Sequence, residues 1–305
     1  MTSDSRRSRE NRRIRQCTDA TLIGRGWELN NHTWPSDPAY YNHTFTNGPL
    51  WANFLADMLN LDLEDYAVGG ATSNNSVVQG LSGAKGDIPV PSLIDQYASF
   101  IEKQSVLGEN TYAILIGAND ILLGNNITAV VPAVSAVIQD LQLRNEGPST
   151  YLIGVPPDVG RLPYRAFVSP ETSEQQSALS KDLRTALTQM YTNLCGLGHP
   201  KIILFDLFTL FENMMSFPEQ FGFDPTKIGV SCLVGAYGET PNRSLCSDPQ
   251  RYIFWDEYHP TTRAHGFIAS KVSRSLSGTT HATGYGCSEE KLYVQSHASN
   301  SVSNN

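Results

Sequence analysis

Two short, almost continuous apolar runs, residues 112–116 and 150–155, limit what this chain can fold into more than any other feature. Each is too short for a buried helix, and each stops at a breaker, Gly117 or Pro156-Pro157. Strands covered on both faces read as unbroken apolar runs, whereas half-exposed strands alternate. Further strands are read at 65–68 and 201–207. Between them lie helix patterns. After Asn47-Gly48-Pro49 come Leu50, Trp51, Phe54, Leu55, Met58 and Leu59 on one face, and residues 177–194 space Leu179, Leu183, Leu187, Met190 and Leu194 in the same way. Additional helices are read from Pro91 to about residue 107, over 128–143 and over 261–276.

Strands alternating with helices imply a parallel sheet with helices on both faces, a three-layer α/β/α sandwich. In such sheets ligands bind outside the carboxyl ends of the strands, where Gly70, Asn119 and Pro156 fall. Residues 26–276 are expected to form one domain, with 71–90 as loop and 218–252 as an irregular insertion. Residues 277–305, rich in Ser, Asn and His, are expected to be a disordered tail.

Charge narrows the partners. The chain of 305 residues carries a formal −8, although Arg6, Arg7, Arg9, Arg12, Arg13 and Arg15 crowd its first fifteen positions. The rest is therefore still more acidic, which excludes nucleic acid or an anionic membrane as the main partner. Residues 1–25 are expected to be an Arg-rich disordered segment; they hold no apolar core and do not read as a secretory leader. No apolar stretch approaches the roughly 20 residues that a bilayer span needs.

Cysteines and sequons point towards an oxidising compartment. Cys232 and Cys246 sit in the irregular insertion, and a bridge between them would stabilise the fold by roughly 3 kcal/mol. Pairing of Cys17, Cys195 and Cys287 stays open. Glycosylation acceptor motifs occur at Asn31, Asn42, Asn74, Asn126 and Asn242.

Three short motifs could carry chemistry. In Asp256-Glu-Tyr-His259-Pro260 one turn before a helix can hold both side chains, so that the carboxylate orients the imidazole and leaves its other nitrogen as a general base. An incidental helix-entry histidine reads equally from these letters, and no third ligand supports a metal. In Gly117-Ala-Asn119-Asp120 the Asn119 amide could donate to a developing oxyanion, and in Gly69-Gly70-Ala71-Thr72 the Gly70 N–H could do the same. Both motifs also read as ordinary turns. No nucleotide loop, cofactor motif or Cys/His metal cluster is present, and no cofactor is expected.

Their order is more telling than any one of them. Strand-GGAT, strand-GxND and a late DxxHP before the final helix resemble blocks two, three and five of the SGNH (GDSL) hydrolases, over residues 27–276. Trp34-Pro35, Tyr40-Tyr41, the run from Phe45 to Trp51 and the run from Asp65 to Thr72 resemble its fungal branch, which includes carbohydrate esterase family sixteen. The resemblance implies a flavodoxin-like sheet and a secreted, monomeric ester hydrolase of the Ser-His-Asp kind. Its substrate would be a small-molecule or carbohydrate ester, with acetylated sugars favoured. Gly70 and Asn119 become oxyanion donors, His259 the base and Asp256 its orienting partner, while His265 is read as structural.

Block one departs from this pattern. It should be an apolar strand ending in Gly-Asp-Ser, yet no Gly-Asp-Ser exists in the chain, and Asp19-Ala20 is the nearest echo, with Ala20 near the nucleophile's place. Thr18, Thr21 and Ser3-Asp4-Ser5 lack the context of a substitute. The first strand is expected to be missing or degenerate, with residues 20–23 offering at most a short stand-in. Residues 1–25 are read as a segment this fold was not built around, as a misplaced gene-model boundary would produce. The competing function is an inactive carbohydrate- or ester-binding protein. An α/β-hydrolase is excluded by the lack of a G-x-S-x-G elbow.

Overall fold

The computed structural model describes residues 13–17, 34–35, 38–103, 110–144, 148–196, 201–235 and 243–278, with backbone alone for 13–17, 103, 196 and 277–278. Five parallel strands form the central sheet: β1 (Arg13–Cys17), β2 (Asp62–Asp65), β5 (Asn110–Leu115), β6 (Thr150–Val155) and β7 (Ile202–Asp206). Their spatial order is β2-β1-β5-β6-β7, the flavodoxin-like arrangement. Two antiparallel hairpins stand apart, β3 (Leu81–Ser82) with β4 (Ile88–Pro89) and β8 (Leu233–Val234) with β9 (Ser244–Leu245).

Seven α-helices accompany them among the described residues: α1 (Trp51–Leu59), α2 (Leu93–Lys103), α3 (Ala118–Gly124), α4 (Val130–Arg144), α5 (Pro170–Gly196), α6 (Leu207–Ser216) and α7 (Thr262–Gly278). Local chemistry sets their ends. Asn53 accepts the Leu50 N–H at 3.0 Å before α1, and Asn60 closes that helix with φ +52°. Asp206, the last residue of β7, accepts the Thr209 N–H at 3.0 Å and caps α6. The core lies on both faces of the sheet. Trp51 of α1 meets Phe205 of β7 at 5.4 Å, and Tyr112 and Tyr151 stack at 5.6 Å on adjacent strands. Each such ring removed from water contributes on the order of 1.5–3 kcal/mol.

The expectation of a missing first strand is corrected in place and length. Arg13–Cys17 occupies the position between β2 and β5, pairing Ile14 with Leu63 and Thr111 and Gln16 with Asp65 and Ala113. The sequence Arg-Ile-Arg-Gln-Cys is not the apolar run expected of a central strand, hence degenerate in composition. Backbone pairing, not side-chain pattern, places it: edge strand β2 has no other partner strand, and without it β5 would lose its partner on one side. Five of residues 1–25 thus form a strand, while the rest of that segment, with the stand-in at 20–23, lies outside the described residues. A second shift is smaller. The strand read at 65–68 is β2 at Asp62–Asp65, and Tyr66, Ala67 and Val68 form the buried run that delivers Gly69 and Gly70.

Candidate active site

The turn from Trp255 to Pro260 is built around one carboxylate. Asp256 Oδ1 accepts the backbone N–H groups of Tyr258 and His259, each at 2.8 Å, while the Trp255 N–H donates to the His259 carbonyl at 2.7 Å. An aspartate that bonds its own backbone two and three residues on fixes a tight turn. His259 Nδ1 then falls 2.9 Å from both Asp256 oxygens, and the Tyr40 hydroxyl donates to Oδ2 at 2.7 Å. Burial alone pushes the Asp256 carboxyl up. The charge of His259 and the hydrogen bonds from His259, Tyr40 and the Tyr258 N–H outweigh it and hold the carboxyl below the usual carboxylate range. An ionised carboxylate only accepts, so Nδ1 carries the proton between them and Nε2 is the ring's accepting nitrogen. Phe45 stacks on the imidazole with centroids 4.7 Å apart and planes 8° apart, which fixes the ring's tilt.

The second wall comes from the carboxyl ends of β2 and β5. Gly70 has φ +85°, and a Cβ there would stand 2.0 Å from the Leu81 carbonyl oxygen of the β3–β4 hairpin, so only glycine fits. Its N–H makes no hydrogen bond among the described residues. Asn119 opens α3 and donates through Nδ2 to the Ala71 carbonyl at 2.9 Å; a carbonyl can only accept, which sets the amide's orientation and leaves its second N–H. Next to it, buried Asp120 accepts the Ser73 hydroxyl at 2.5 Å and the Ser73 N–H at 3.1 Å. Burial raises the Asp120 carboxyl above its ordinary range, with the Ser73 bonds opposing.

Gly70, Asn119 and His259 all line one cavity of about 390 Å³, together with Trp34, Phe45, Trp51, Leu122 and Phe211. Three groups singled out in the sequence thus line one cavity, and Asp256 sits fully buried behind His259. His265 lines the same cavity from α7. Neither of its ring nitrogens has a hydrogen-bond partner among the described residues, and burial, aided by the charge of His259, drives it down to about 3. It is an uncharged imidazole at neutral pH. Among the described residues no cluster of three His, Cys, Asp or Glu is placed to hold a metal ion.

Several contributors escaped the sequence reading: Tyr40 on Asp256, Phe45 on His259, Ser73 on Asp120. Tyr40 lies 216 residues from Asp256, so no spacing could have signalled that contact. Ala20 falls outside the described residues; in the chain it follows the end of β1 by three positions. The Cys232–Cys246 bridge is present, with the Cα atoms 4.9 Å apart. Cys195 is also disulfide-bonded. Of the glycosylation candidates, Asn42 is exposed and Asn74 and Asn126 are half-buried; Asn31 and Asn242 lie outside the described residues.

A family model described as GDSL-like lipase/acylhydrolase matches residues 22–272. The chain is 27% identical over 252 residues to the thermolabile hemolysin of Vibrio parahaemolyticus, covering 79% of this chain and 58% of that protein. It is 25% identical over 272 residues to a GDSL esterase/lipase of Arabidopsis thaliana, covering 76% and 71%. A solved structure from the lipolytic G-D-S-L family of Veillonella parvula superposes with a TM-score of 0.46 at 15% identity, covering 87% of this chain and 98% of that one.

Proposed function

The chain belongs to the GDSL-like lipase/acylhydrolase family, and on that premise we propose that its cavity is a Ser-His-Asp ester-hydrolase site whose nucleophile position is held by Ala20. One observation carries this reading: His259, oriented by buried Asp256, borders the same cavity as two potential oxyanion donors, Gly70 and Asn119. With a hydroxyl at position 20, as in Ala20→Ser, His259 Nε2 takes its proton as it attacks the ester carbonyl, and Asp256 stabilises the imidazolium that forms. The Gly70 N–H and the free Asn119 N–H receive the negative charge of the tetrahedral intermediate. The acyl group passes to the nucleophile, the alcohol leaves with the proton from His259, and water repeats the sequence to release the acid.

The substrate we propose is an acetyl ester of a carbohydrate, following the resemblance of residues 34–72 to the fungal branch. Secretion and glycosylation belong to the same proposal: the disulfides fit an oxidising compartment, and Asn42 of its sequon is exposed. A second reading, binding of such esters without turnover, is favoured by alanine standing three residues beyond β1 where serine is needed.

Hydrolysis of p-nitrophenyl acetate tests both: the first through the chemistry that an introduced hydroxyl restores, the second through the native chain's binding. The native chain, Ala20→Ser, and Ala20→Ser with His259→Ala are compared, with calorimetric binding of an acetylated xylo-oligosaccharide alongside. The proposal predicts turnover in Ala20→Ser that disappears when His259 is removed. The native chain then binds the sugar without hydrolysing it. Turnover by the native chain that His259→Ala abolishes would mean that another group serves as nucleophile and would overturn the role given to Ala20.

A further inference from the structure

The irregular insertion contributes nothing to the chemistry above, yet it delivers a cation to the back of the site. Arg243 precedes β9, and its side chain is 0% exposed, as buried as any in the core. Burying a guanidinium costs several kcal/mol unless it is paired and hydrogen-bonded. One arm is on Glu257, with Nη2 donating to Oε2 at 2.6 Å; the other reaches across 203 residues of chain, with Nη1 donating to the Tyr40 hydroxyl at 2.8 Å. Tyr40 has a single proton, and Asp256 Oδ2 receives it at 2.7 Å. The cation therefore bonds to the lone pair of the same oxygen that holds the carboxylate. Accepting a charge-assisted bond polarises the hydroxyl and strengthens what it donates.

We propose that Arg243 is a positioning residue for the His259–Asp256 pair, acting through Tyr40 on the carboxylate and through Glu257 on the turn that carries it. The Cys232–Cys246 bridge holds Arg243 in place. Cys246 donates its N–H to the Cys232 carbonyl at 2.9 Å, Cys232 donates to Phe254 at 3.1 Å and Leu233 to Trp255 at 2.7 Å, so the bridged hairpin is fastened to the residues immediately before Asp256. Among the described residues, ionisable groups that act on this network include Tyr40, Asp256, Glu257, Tyr258 and His259. The inference rests on the proposed function only for the use made of the pair, since the geometry exists without substrate.

Its test needs no turnover, and so reads out even if the esterase reading fails. The Nδ1 proton of His259, held between nitrogen and carboxylate, is followed by NMR in the native chain, Arg243→Met, Arg243→Lys and Tyr40→Phe, with folding verified by circular dichroism. The proposal predicts that Arg243→Met and Tyr40→Phe shift this resonance upfield and speed its exchange with water several-fold, and that Arg243→Lys restores part of the shift. A folded Arg243→Met chain with the native resonance and exchange rate would overturn it. If Arg243→Met does not fold, Tyr40→Phe decides, because it removes one oxygen and keeps the ring: an unchanged Nδ1 proton there overturns the proposal equally.

Discussion

Asn119 donates its amide to the carbonyl oxygen of Ala71 across 2.9 Å, joining two loops 48 residues apart in the chain. Gly70 and Asn119 line the same cavity. Losing one such donor costs about 10²–10³-fold in kcat. Asn119→Ala, made on an Ala20→Ser background and assayed on p-nitrophenyl acetate, is expected to lower kcat by that order with little change in KM. Asn119→Asp is expected to be worse in stability as well, because it sets an acceptor against the Ala71 carbonyl.

Gly70 is fixed by sterics at two levels, φ +85° and the approach of Leu81 O. Gly70→Ala is expected to destabilise the chain by at least the 1–3 kcal/mol of a forced backbone conformation and to push the β3–β4 hairpin outward. Gly86 is the control: its φ is +62°, but nothing lies within 4 Å of an added Cβ. Thermal unfolding should show the larger loss for Gly70→Ala, and equal losses would contradict the close contact.

His265 predicts an acid-side loss of stability. Its value falls from 6.5 in the unfolded chain to about 3 in the folded one, chiefly through burial. Below 6.5 the unfolded state binds a proton that the native state refuses, so this group's stabilisation is intact above 6.5 and is lost as pH falls towards 3. The slope is about 1.4 kcal/mol per pH unit for one proton. Denaturant unfolding between pH 7 and pH 4 should therefore show a shallower decline for His265→Leu than for the native chain.

The Cys232–Cys246 bridge closes a loop with a separation of 14 residues. Replacing both with Ser is expected to lower stability by roughly 3 kcal/mol, read from the denaturant midpoint. An unchanged midpoint would mean that the backbone bonds of the hairpin suffice without the covalent clip.

Much of this was legible in the letters, and the reasons are physical. The run 150–155 reads as a buried strand because both of its faces are covered, and the helix 51–59 reads from its apolar stripe. Gly70, Asn119, Asp256 and His259 were legible because each sits at a strand or helix end where turn chemistry leaves short signatures. What the letters hid is pairing at long range. Arg13–Cys17 has a polar composition that local propensity does not favour, and only its two neighbours make it a strand. Tyr40, Phe45 and Arg243 approach the Asp256–His259 turn through tertiary contact, which no spacing encodes.

The central claim is that the cavity lacks only its nucleophile. Intact-mass spectrometry of the Ala20→Ser chain after brief incubation with p-nitrophenyl acetate tests it most directly. The account predicts a single acetyl adduct at the introduced hydroxyl, formed in the Ala20→Ser chain and not in the native one, and lost when His259→Ala is added. An Ala20→Ser chain that folds, keeps the His259–Asp256 pair and still takes up no acetyl group would contradict it.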